Sequence, residues 1–81
     1  MCIYVFRRLD DEAEADFFRR YLITREMYRN FLRDVANTIK DIDQESLREK
    51  SHIILEIAKA YAETTKRINE MDKIIQATFL D

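Results

Sequence analysis

The chain contains neither glycine nor proline. At ordinary usage, about 7% and 5%, roughly ten such residues would be expected in this length. Without glycine there is no inexpensive left-handed turn, no phosphate-cradling loop and no glycine-built oxyanion hole. Without proline there is no built-in kink. Cysteine is almost missing too: Cys2 is the single thiol, so no disulfide within the chain can staple the fold. A lone thiol with no signal peptide ahead of it fits a reducing compartment, and an intracellular protein, cytoplasmic or nuclear, is expected. The apolar run 1–6 is too short to span a bilayer, so no membrane association is expected.

What is present is strongly amphipathic. Hydrophobic residues make up 47% and charged residues 37% of the 81 positions, a balance that argues against disorder. The net charge of −2 is not that of a dedicated nucleic-acid binder. The charge is nevertheless segregated. Residues 9–16 carry −5, residues 17–40 carry +4, residues 41–45 carry −3, and residues 46–81 balance. Each acidic stretch precedes a long amphipathic run, where it favours a helix N-terminus. Asp11 followed by Glu14 has the pattern of a capping box.

The first run places Phe17, Tyr21, Tyr28, Phe31, Leu32, Val35, Ile39 and Ile42 within an arc of about 100°. The positions 28, 32, 35, 39 and 42 form a 4-3-4-3 seam. The second run has Leu47, Ile54, Ile57, Ala58, Tyr61, Ile68, Ile75 and Phe79, widened to about 160° by Ile53, Ala60 and Met71. A stripe that wide serves more than one neighbouring helix. Tyr61, near its centre, reads as a core aromatic. Glu49, Glu56, Glu63 and Glu70 recur once per heptad on the opposite face.

The register argues against one continuous straight helix and leaves a bent one as the alternative to a hairpin. Extending the first seam by sevens from Ile42 lands on Glu49, Glu56, Glu63 and Glu70, so the core phase of one run is the solvent phase of the next. The chain must turn between 42 and 47, and Asp43 is the expected N-cap of the second helix. The expected fold is all-α, a single domain. It is a long αα-hairpin with an apolar arm over 1–9 and helices over 11–41 and 44–80. Two such hairpins would assemble into a four-helix bundle, a C2 homodimer being the simplest closed form.

Residues 17–23 point to the same conclusion. Phe17 and Tyr21 face the seam, Phe18 and Leu22 lie to one side, and Ile23 lies on another, so the helix is apolar nearly all round at that level. These five residues are the candidate partner interface. The expected function is protein–protein interaction: a helical adaptor, assembly subunit or inhibitor, in a homo- or hetero-oligomer. The alternative is a nucleic-acid-binding regulator using Arg25, Arg29, Arg33 and Lys40, which line one helix face.

No catalytic constellation is found, and no enzyme activity, cofactor or small-molecule substrate is expected. Glu49 and His52 have the Glu-x-x-His spacing of di-iron bundles, but both lie off the apolar stripe, where such ligands would not converge, so no metal site is expected. Cys2 has no neighbouring base to activate it.

Overall fold

The computed structural model describes residues 6–80, and the expectations for Cys2 and the rest of residues 1–5 lie outside the described residues. The chain is all-α there. Helix α1 runs Glu14–Lys40, a short α2 Gln44–Glu49 and α3 Ser51–Phe79. α1 and α3 pack along each other as the two arms of a hairpin, and α2 lies against α3 near the turn. No helix among the described residues is long and apolar enough to cross a membrane.

The turn is made without a single left-handed residue: no φ is positive. The reversal is therefore spread over two bends that use right-handed and extended conformations. α1 stops at Asp41, and Asp43, extended at φ −77° and ψ 167°, caps α2 as the sequence predicts. Its carboxylate accepts from the Ser46 backbone N–H at 2.7 Å, supplying one of the acceptors a helix start lacks. The second bend is at Lys50, with φ −110° and ψ 21°. It breaks the continuous helix expected over 44–80 and re-aims the chain into α3.

The start of α1 also differs from expectation. The helix begins at Glu14, three residues later than expected, and its N-cap Ala13 makes no side-chain capping bond. The capping box of Asp11 and Glu14 does not form. Instead Glu12 closes a turn. Its backbone N–H donates to Leu9 O at 3.0 Å, and its carboxylate accepts from the Leu9 N–H at 3.1 Å. Glu12 can do this because Arg20, two turns into α1, grips both its oxygens at 2.9 Å. Arg20 also donates to the Arg7 carbonyl. Its guanidinium lies over the ring of Phe6, 4.8 Å from the centroid, a cation–π contact. Phe6 is thereby folded back onto the hairpin.

The core lies at the open end of the hairpin. Phe6, Phe17, Met71 and Ile75 form one buried cluster, with Tyr21, Tyr28 and Ile74 packed against it. Phe6 stacks on Phe17 with centroids 5.2 Å apart. Phe79 reaches Phe17 and Phe18 from α3 at 6.3 and 5.5 Å. Burying a phenylalanine such as Phe17, 1% exposed, contributes about 2–3 kcal/mol. The turn half is thinner. Leu32, Val35, Ile39 and Ile42, the cleanest part of the sequence seam, are only half-buried. Tyr61, expected in the core, is 40% exposed. Alanines at 36, 58 and 60 line open grooves on the flanks there.

Candidate functional site

Three surface features are built on this frame. The first is a clip between the helices. The Tyr21 hydroxyl donates to Asp72 Oδ1 at 2.6 Å. Arg25, one turn further along α1, donates through Nε to Oδ1 at 3.0 Å and through Nη2 to Oδ2 at 3.2 Å. Burial pushes the Asp72 carboxyl up, but its bonds to Arg25 and Tyr21 outweigh that and hold it below the usual carboxylate range. Burial raises the Tyr21 phenol, and the neighbouring carboxylate raises it further. Three polar groups satisfy one another beside the apolar cluster, which makes this a structural lock rather than a reactive centre.

The second feature is a basic face. Leu22, Arg25, Glu26, Arg29, Asn30 and Arg33 line a depression of about 590 Å³ along α1. The structure thus brings together Arg25, Arg29 and Arg33 of the sequence-derived ladder. Arg25 is committed to Asp72, and Arg33 donates to Asn30 at 3.1 Å. Lys40 lies further on, in a groove of about 440 Å³ with Ala36, Ile39, Ala58 and Tyr61. The 4-3-4 spacing of Arg29, Arg33, Ala36 and Lys40 makes depression and groove one continuous face.

The third is the opposite flank. Phe31, Asp34, Val35 and Thr38 of α1 meet Ile57 and Ala60 of α3 around a groove of about 240 Å³. Ala58 and Ala60 project from α3 by roughly 200° of helical rotation from one another, which puts these two grooves on opposite sides of the seam. Glu56 and Glu63 stand one turn to either side of Ala60 along α3, and both are exposed.

The five candidate interface residues are separated by the fold. Phe17 is a correction: it is inside the chain's own core, because Phe6 and Phe79 cover it, and it offers no surface to a partner. Tyr21 is half-buried and held by Asp72. Phe18, Leu22 and Ile23 remain exposed at 38%, 50% and 55%. Glu49 ends α2 and His52 lies in the first turn of α3, with the Lys50 bend between them. Both are exposed.

Asp72, Arg20 and Glu12 were not singled out from the sequence. Asp72 carries a readable signal: it lies one turn beyond Ile68 and three residues before Ile75, so a carboxylate borders the apolar stripe and requires a partner. Nothing local indicated which residue that partner is.

Comparison with protein-family models, with curated proteins and with solved structures gave no match. The functional reading therefore rests on the chain's own geometry.

Proposed function

We propose that this protein is a helical protein–protein interaction module, an adaptor, assembly subunit or inhibitor that works by burying helix faces in a homo- or hetero-oligomer. The observation that carries this is the pair of uncovered apolar grooves flanking the turn half of the hairpin. They lie where the sequence has its most regular seam, yet the side chains there are half-buried at best. Among the described residues five hydrophobic side chains are buried, whereas twelve large ones are exposed. A core that small rarely sustains a fold alone.

Size and shape agree. The accessible surface is 6821 Å² for 9.8 kDa. A folded monomer of that mass exposes about 5,200 Å², roughly 1,650 Å² less. The radius of gyration is 16.4 Å, against about 12 Å for a compact domain of this length. Two hairpins stacked face to face make a four-helix bundle, in which one groove of each is covered by the other. Charged rows beside the grooves set orientation and partner choice more than affinity.

The test is light scattering after size-exclusion chromatography, with helicity measured by circular dichroism, at low and high salt. A folded oligomer that persists at high salt is expected. Association only with a second helical protein also fits the reading. A cooperatively folded, stable monomer that binds no helical partner would overturn it.

One observation favours a second reading: three arginines share the depression on α1, as a phosphate-binding edge would require. Binding of labelled oligonucleotides should then fall steeply between about 50 and 200 mM salt, and Arg29→Ala with Arg33→Ala should abolish it. The commitment of Arg25 to Asp72 and the presence of Glu26 in the depression weigh toward the first reading.

A further inference from the structure

The two flanks of the hairpin carry opposite charge. On one, Arg29, Arg33 and Lys40 run along α1 beside the groove of Ala36 and Ala58. One acid, Glu26, shares the depression with Arg29 and Arg33, and Asp72 is already neutralised by Arg25. On the other, Asp34 lines the groove of Phe31 and Ala60, and Glu56 and Glu63 lie on α3 one turn before and one turn after Ala60. Glu56 and Glu63 do have partners, Lys59 at 3.4 Å and Arg67 at 3.8 Å, but these are exposed pairs within one helix. Such pairs contribute little and exchange readily.

We propose that the occupant of each groove is a second copy of this chain, docked heterologously: the basic face of one copy sits on the acidic face of the next. This rests on the interaction-module reading above and names its partner. Isologous pairing sets a face against itself. Here it would oppose Arg29, Arg33 and Lys40 to their own copies, or Asp34, Glu56 and Glu63 to theirs. Basic-on-acidic stacking removes both conflicts and covers both grooves.

The area argument agrees. A standard interface takes about 800 Å² from each partner. An isologous dimer would bury one face and leave the other open. A heterologous stack uses two faces per chain, about 1,600 Å² at that standard size. Contacts of this kind continue until a ring closes or a stack forms.

The experiment is a charge-swap measured by light scattering on the full chain. One variant carries Arg29→Glu and Arg33→Glu, the other Glu56→Lys and Glu63→Lys, and circular dichroism checks that each retains its helices. Wild type is expected to grow beyond a dimer as concentration rises. Each variant alone should associate at least tenfold more weakly, since its two faces now carry like charge. An equimolar mixture should recover assembly, because the acidic face created in one variant meets the basic face created in the other. Glu56→Gln with Glu63→Gln adds no repulsion within α3 and should weaken association in the same direction.

A wild type capped at a dimer, or variants that assemble as wild type does, or a mixture that fails to recover, overturns the heterologous contact. The capped dimer leaves the interaction-module reading standing. A stable folded monomer that binds no helical partner overturns both.

Discussion

Tyr21 and Asp72, 51 residues apart in sequence, are joined by a 2.6 Å hydrogen bond that ties the first third of α1 to the last third of α3. With Arg25 on the same carboxylate, it sets the axial register of the hairpin beside the core. Phe17 and Ile75, one turn further toward the open end, are buried on either side of the seam.

Removing the charge of Asp72 should therefore loosen the pairing of the helices. Asp72→Asn is expected to cost about 1–2 kcal/mol, the low end of the range for a charged hydrogen bond because the clip is partly open to water. Urea melts followed by circular dichroism measure it. Tyr21→Phe in the Asp72→Asn background should add little, since the hydroxyl has already lost its charged acceptor. Full additivity of the two losses would show that the clip does not act as a unit.

Three carboxyls predict acid sensitivity, the first being Asp43, held below its ordinary value by the Ser46 N–H it accepts from. Arg20 holds the Glu12 carboxyl below its ordinary value, helped by the Leu9 N–H. At Asp72, burial acts upward, but the bonds to Arg25 and Tyr21 prevail and the net direction is also downward. A group with a depressed folded pKa stabilises above its unfolded pKa and loses that contribution as pH falls through the folded value. Stability should be level from neutral pH to about 5 and fall below about 4. The slope should be shallower in Asp72→Asn. At the alkaline end the raised phenol of Tyr21 acts oppositely. Its contribution is present below about pH 10 and lost as pH rises through the folded value, and Tyr21→Phe should remove that loss.

Phe17→Ala should be the most damaging single change within the hairpin. Truncating a buried phenylalanine costs about 3–5 kcal/mol. Stacking on Phe6 would be lost with it, releasing the arm. A fold with five buried apolar side chains among its described residues has no reserve of that size, so loss of most helical signal at 25 °C is expected. Phe18→Ala, at a 38% exposed position, should cost about 1 kcal/mol or less. Similar melts for the two variants would show that the core is not where the structure places it.

Asp43→Ala removes the one side-chain cap at the chain reversal and should cost about 1 kcal/mol. The effect should be local. Amide exchange is expected to speed up across residues 44–49 and to change little in the half of α3 that packs on Phe17. Uniform acceleration along the chain would mean instead that the turn and the core unfold together.

Much of this architecture follows from residues close to one another in the chain. The 3.6-residue periodicity, the phase reversal between Ile42 and the Glu49 row, and an aspartate positioned to cap all act within a turn or two. They determined that the protein is helical, that it turns near 41–46, and that Asp43 starts the next helix. The Lys50 bend escaped this reading because nothing at Glu49-Lys50-Ser51 breaks a helix locally. Among the described residues no φ is positive, and the reversal is completed in two steps, at Asp41–Asp43 and at Lys50.

Which half of the hairpin is packed was decided only in three dimensions. Sliding one amphipathic helix along another by a heptad preserves the seam, so periodicity leaves the axial register open. The register is chosen by contacts between residues far apart in sequence: Tyr21 and Arg25 with Asp72, and Phe17 with Met71 and Ile75. Once they place the large side chains at the open end, Ala36, Ala58 and Ala60 fall at the other. Composition predicted an amphipathic hairpin with apolar surface to cover. The pairing of its two helices determined that this surface is a groove on each flank, one beside a basic row and one beside an acidic row.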